Sequence, residues 1–322
     1  MSGIRINRFA GLLPSLLLSL FIVGLFIAGL LMTRVTQAKP LQLTEVAPDV
    51  YALIGPMEQR SAQNLANNAN FGFIVTHDSV LLIDSGGTLL GAGDIESHIR
   101  TVTDKPIQLV INTGGQDHRW FGNRYFAEQG IRTLTSVKTQ ADQNARRNSQ
   151  IESTSALTAA SWAGTDPQPA TAVVSETTEL TIGGLQIELI PVGPAHTGGE
   201  TLVWLPEHKV LFSGDLVYTG RMLGIGPQSQ HRDWIAAFDT IRQLAPQVIV
   251  PGHGQPTDLS GAEKDTYDYL VFLRSEVGRL IDAGEEMSAV SRIDQSRFSY
   301  LEVYEQIHGR NAQQVFEQME WE

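Results

Sequence analysis

The stretch that most constrains the fold is Pro191 to Asp215, PVGPAHTGGETLVWLPEHKVLFSGD. An apolar strand ends in a Gly/Pro turn carrying His196, and a hairpin then returns through KVLFSGD to place Asp215 at its tip. Later, QVIVPGHG sets His253 directly after another apolar strand. Buried strands ordinarily end in turn formers. Three metal-ligand side chains at three strand mouths therefore point to one shared site.

The remaining pattern alternates strands with amphipathic helices, which predicts two sheets with helices outside. Leu41–Gly55 opens as a strand pair. Asn70–Gly87 reads as a hairpin turning at His77-Asp78-Ser79, with His77 solvated. Gly91–Thr103 is expected helical, Ile107–Asn112 a buried strand, Arg119–Gln129 and Thr139–Trp162 helical, and Glu179–Val192 a hairpin. Pro167–Thr178 is expected to be a loop, and Arg146 and Arg147 to be solvated. His231–Leu244 and Ser260–Ala283 are expected helices, and the residues after them helical cover on the surface. Met57–Ala69 and Gly220–Gln230 are loops placed to overhang a site.

Composition excludes some functions. The chain has 322 residues, with 35 Asp+Glu against 23 Lys+Arg, so a nucleic-acid partner is not expected. Cysteine is absent, which removes disulfides, thiolate ligands and a Cys nucleophile together. Residues 1–40 read as a targeting segment: Arg5 and Arg8 lead, Gly11–Met32 carries no charge, and small residues around Ala38 offer a cleavage site. Two outcomes stay open, an uncleaved membrane anchor over residues 11–32 or a soluble protein cut near Ala38. Both place the rest of the chain outside the cytoplasmic membrane, in the periplasm. The expected organisation is the leader, a domain over 41–258, and a helical extension over 259–322 packed on it.

AHTGGE, LFSGD and PGHG resemble the later motifs of the metallo-β-lactamase-fold hydrolases. LIDSGG resembles their early strand, and the INT and GN around Gly114–Gly122 resemble the flanks of their main metal motif. The resemblance implies an α/β fold, an αββα four-layer sandwich with the site at one edge between the sheets. It also implies a hydrolase whose metal-bound hydroxide attacks an ester, thioester, lactone or amide of a small-molecule substrate. The ion expected is zinc, one rather than two, with iron or manganese as alternatives.

The main motif departs from the family's His-x-His-x-Asp-His. The gapless register puts Gly114, Gln116, His118 and Arg119 on the four ligand positions. The slipped register puts Asp117 and His118 on the Asp-His pair and needs one extra residue before Gly122. Candidate metal ligands are therefore His118, His196, Asp215 and His253, with Asp117 or Gln116 according to register. Candidate catalytic residues are Asp215, Asp117 and Arg119, the last as a fixed cation paired to Asp215 or a stabiliser of an oxyanion. Asp84, Thr197 and Glu200 are expected to support the ligands by hydrogen bonds. The loss of both leading histidines keeps a second reading open, a non-catalytic binding protein on the same fold.

Overall fold

The structure is a computed structural model; apart from Met1, it describes residues 41–322. The leader expected over residues 1–40, its anchor and its cleavage site lie outside the described residues. Among the described residues, no helix is long and apolar enough to cross a membrane.

Two sheets form the centre. The first has seven strands in chain order: β1 (Gln42–Ala47), β2 (Val50–Ile54), β3 (Phe71–Val75), β4 (Val80–Ile83), β5 (Ile107–Ile111), β6 (Arg132–Ser136) and β7 (Ala172–Val174). The second has five, β8 (Thr178–Ile182), β9 (Leu185–Val192), β10 (Glu200–Leu205), β11 (Val210–Tyr218) and β12 (Val248–His253), ordered β12-β11-β10-β9-β8. Side-chain alternation along the strands builds the layers. Leu81, Ile83, Leu109 and Ile111 face Leu189, Val203, Phe212 and Val250 of the other sheet. Their neighbours Leu82 and Val110 face outward, against Ala92, Ile95 and Ile99 of helix α1 (Leu89–Arg100).

The outer face of the second sheet is covered likewise. Helix α5 (His231–Leu244) buries Trp234, Ala237, Phe238 and Ile241, a stripe at helical spacing, against Leu211, Leu216 and Ile249. The result is helix layer, sheet, sheet, helix layer. Edge strand β8 alternates exposed and covered residues, whereas every residue of β11 is buried, as expected for a strand between two neighbours and two cores.

Several expectations are corrected. The segment Arg119–Gln129 is two short helices, α2 (Asp117–Trp120) and α3 (Asn123–Ala127), broken around Gly122. A Cβ at Gly122 would lie 2.0 Å from the Ser85 carbonyl oxygen, so the chain bends where it crosses β4's exit. Strands β6 and β7 stand where no strand was expected. Helix α4 runs Val137–Thr158, capped by Ser136, whose hydroxyl accepts from Thr139 N. Arg146 and Arg147 on it are half-buried and paired, with Asp142 and Asp166 respectively.

The helix expected over Ser260–Ala283 runs from α6 (Leu259–Ala262) through a π-helical turn (Glu263–Tyr267) into α7 (Asp268–Asp282). The last helix, α8 (Tyr304–Met319), is more than surface cover. Its Ile307, Val315 and Phe316 join the core containing Trp234, Tyr269 and Leu273.

Candidate metal centre

Three strand exits and one helix start meet at one edge of the sandwich. Asp215 lies in the last part of β11 and is fully buried, and His253 ends β12, parallel to it. His118 sits in α2, immediately after the β5 exit. Its Nε2 is 3.2 Å from Asp215 Oδ2, and His253 Nε2 is 3.2 Å from Asp215 Oδ1. The donor atoms of His118, Asp215 and His253 lie within 4.8 Å of one another, the one such group of three among the described residues.

Beneath them Arg119 acts as a strut. Its Nε and Nη2 donate to the two oxygens of Asp215 at 3.2 and 2.6 Å. Its Nη1 donates to Asn70 O at 2.7 Å and to Asp84 Oδ2 at 3.0 Å, and Nη2 donates also to Gly252 O at 3.0 Å. A guanidinium has five N–H donors, and these contacts engage all of them. Arg119 is therefore the fixed cation paired to Asp215, and the alternative in which it stabilises an oxyanion is corrected: no donor is left to give. Gly252 fits this knot because a Cβ there would meet Arg119 Nη2 and Asp215 Oδ1, each at 2.6 Å.

Asp84 supports the same knot. Its Oδ1 accepts from Thr113 N and its Oδ2 from Thr113 Oγ1, each at 2.7 Å. Burial pushes its carboxyl up to about 6, although Arg119 and Thr113 pull it down. Asp215 goes the other way. Burial would raise it, but Arg119 and the hydrogen bonds from His118 and His253 outweigh that and hold it well below the usual range. Burial pushes His118 down to about 4 and His253 well below its ordinary value. Both rings are neutral near pH 7, the state in which imidazole binds a metal.

Asp117, the ligand of the slipped register, points elsewhere. Its Oδ1 accepts from Arg60 and from His118 N, and its Oδ2 from Thr154 Oγ1 of α4. Burial would raise this carboxyl, but Arg60 and His118 hold it well below the usual range. It is outside the cluster of three donors, so its expected place among those ligands is corrected. His118 meets Asp215, as both registers allow, and Asp117, which the slipped register adds, stands apart.

Packing accounts for the two glycines that precede Gln116. A Cβ at Gly114 would lie 2.6 Å from Glu200 Oε2, and one at Gly115 would lie 1.9 Å from Asp142 Oδ2. Carboxyl groups fill the space that side chains would need. Glu200 Oε1 accepts from Thr197 N and Oγ1, each at 2.7 Å, while its Oε2 is buried without a partner. Burial, then Asp215, pushes Glu200 up to about 8.

A cavity of about 160 Å³ opens over the cluster. His118, His196 and His253 line it, with Gln116, Tyr218 and Arg60, Arg221 and Arg310. Tyr218 stacks on His253 at 4.6 Å, and burial keeps its phenol protonated. His196 packs on Trp234 at 5.2 Å, has an unpartnered Nδ1, and is pushed down to about 4 by burial. It shares the cavity with His118 and His253 but stands outside the three-donor cluster. Gln116 lines the wall with its amide turned to Asp117 at 3.2 Å and Arg146 at 3.5 Å.

Sequence reasoning missed Arg60, inside the polar loop 57–69, and Arg310, on the last helix. Neither carries a spacing signal, because they reach the cavity only through tertiary packing.

The residues present fit one metal ion. Donors bound to an ion at about 2.1 Å in tetrahedral geometry sit about 3.4 Å apart, close to the 3.2 Å separations here. An ion held by these three residues would face the cavity, the kind of arrangement that leaves room for a further ligand. Among the described residues, no second group of three such donors lies together.

The pattern that defines the metallo-beta-lactamase superfamily matches residues 66–253. The chain is 31% identical over 150 residues to the 2,4-dinitroanisole O-demethylase subunit alpha of a Nocardioides species, covering 46% of this chain and 41% of that protein. It is 22% identical over 250 residues to the linear primary-alkylsulfatase of a Pseudomonas species, covering 64% of this chain and 46% of that one. The chain thus spans less than half the length of these two relatives. Among solved structures, the sec-alkyl sulfatase PisA1 superposes with a TM-score of 0.65 at 16% identity, covering 87% of this chain and 50% of that one. The pattern covers more than half of the 322 residues and takes in His118, His196, Asp215 and His253; the chain belongs to the metallo-beta-lactamase superfamily.

Proposed function

We propose that this chain is a hydrolase with a single metal ion held by His118, Asp215 and His253, acting on a small anionic ester, thioester, lactone or amide. The observation that carries it is the buried three-donor cluster opening on a cavity with three arginines in its wall. Homologues in the superfamily are metal-dependent hydrolases, among them lactamases, a thioesterase and a sulfatase.

When bound, the ion supplies Lewis acidity and a lowered pKa for its water; zinc is the first choice for such donors, with iron or manganese next. The chain's own residues do the rest. Arg119 holds Asp215 ionised and in place. Arg221 is buried, donates from Nε to Met57 O at 2.7 Å, and lines the cavity without a carboxylate partner among the described residues. With Arg310 it favours a negatively charged substrate group, and no acidic side chain is among the described cavity residues. His196, which lines the same cavity and is neutral near pH 7, is the group available to move a proton.

A second reading, a binding protein without turnover, is favoured by the glycine at the first ligand position. Elemental analysis of the purified chain, with a panel of sulfate, carboxylic and thioester substrates, separates the two. Hydrolysis lost on chelation and in Asp215→Ala supports the enzyme. A metal-free chain inert on every substrate ends that reading.

A further inference from the structure

Arg60 donates from Nη2 to His118 Nδ1 at 2.9 Å, and the same Nη2 is paired with Asp117. Arginine has donors only, so Nδ1 is the acceptor in this contact. A neutral imidazole carries one proton, which then sits on Nε2. There it faces Asp215 Oδ2 at 3.2 Å, as the donor of that hydrogen bond.

This is the tautomer that does not bind a metal through Nε2. For Nε2 to offer its lone pair to an ion beside Asp215, the proton must stand on Nδ1. An Nδ1–H cannot accept from Arg60; its nearby acceptor is Asp117 Oδ1, 3.4 Å away. Resting on the single-metal reading, we infer that Arg60 is a positioning residue that selects the tautomer of His118. Its hydrogen bond and metal ligation through His118 are mutually exclusive. Loading the ion moves the proton from Nε2 to Nδ1 and releases Arg60 from the ring. Arg60 stays tethered to the site by Asp117, so the displaced guanidinium remains at the cavity wall.

The test uses the full chain with Zn²⁺ alone, followed by calorimetry, and with Co²⁺ alone, followed by its absorption. Arg60→Met removes the competing donor and is expected to tighten metal binding about tenfold to a hundredfold, the range of a hydrogen bond to a charged group. Arg60→Gln, whose carbonyl accepts from Nδ1–H, is expected to bind at least as tightly. Arg221→Met removes a charge from the same wall without touching His118, so an equal gain there would mean that charge alone is responsible and would overturn the inference.

The second readout needs no variant. Histidine ¹⁵N spectra of the wild-type chain are expected to show His118 protonated on Nε2 before Zn²⁺ and on Nδ1 after it. An Nδ1–H tautomer already present without metal, or equal affinity in wild type and Arg60→Met, overturns the role of Arg60 while leaving the metal centre intact. A chain that takes up no metal in any form overturns the single-metal reading and this inference with it.

Discussion

The exits of β11 and β12 and the exit of β5 build the two halves of one centre by different means. At β11 and β12, Asp215 and His253 project from adjacent parallel strands, where the register shifts between Gly214 and Tyr218. At β5 the chain leaves as Thr113-Gly114-Gly115-Gln116, and only His118 offers a donor to the cluster. Arginines take over the charge balance there: Arg60 pairs with Asp117, and Arg119 with Asp84 and Asp215. The difference teaches that two of the three donors come from adjacent strands, while the third stands on a short helix whose Asp117 is balanced by Arg60 from a distant segment.

The largest expected effect breaks the arginine half. Arg119→Met leaves two buried carboxylates without their cation, which costs about 3–5 kcal/mol when one partner of a buried pair is removed. Denaturant unfolding would measure it, and a loss under 1 kcal/mol would show that Arg119 is not the strut described.

Next comes pH. Glu200 is pushed up to about 8 from an ordinary 4.5. A raised carboxyl adds stability that is complete below the unfolded value of about 4.5 and is lost as pH climbs through about 8. The wild type is therefore expected to lose stability relative to Glu200→Gln across that window, by a few kcal/mol in all. Parallel stability curves for the two proteins would remove Glu200 from the account.

Gly114→Ala probes the space at the first ligand position. Its Cβ would stand 2.6 Å from Glu200 Oε2, and overpacking of this kind costs about 1–3 kcal/mol. Thermal melts showing no loss would mean that Glu200 swings aside and that a side chain is tolerated there.

The smallest effect sharpens the comparison within the cavity. His196→Ala is expected to leave metal stoichiometry unchanged while slowing hydrolysis, whereas His118→Ala and His253→Ala each lose the ion. Elemental analysis decides this, and loss of metal in His196→Ala would place that ring in the coordination set.

Much of this was legible without coordinates, and the particulars show why. Helix α5 matches its expected range of His231–Leu244 because its apolar stripe repeats at helical spacing over a full length. The β3–β4 and β8–β9 hairpins were readable from alternating runs around turn residues. Strand β6 escaped because Arg132, Thr133, Thr135 and Ser136 give RTLTS little apolar pattern; four of its five residues are buried all the same, paired between β5 and β7. The break between α2 and α3 escaped because its cause, the Ser85 carbonyl, lies far away in the chain.

Local periodicity and strand-end residues therefore pointed to two sheets with helices outside and to His196, Asp215 and His253 sharing one site, since both signals act over a few neighbouring residues. The four layers and the site's place at one edge were what the family resemblance implied. Which histidines share the donor cluster, which carboxylate is claimed by Arg60, and whether Arg119 has a donor to spare were decided only in three dimensions. Those outcomes depend on hydrogen-bond partners brought together from distant segments, such as Arg60 with His118 and Arg119 with Asp84, Asp215 and Gly252. Buried polar groups must find partners, and only the packed fold specifies which ones are within reach.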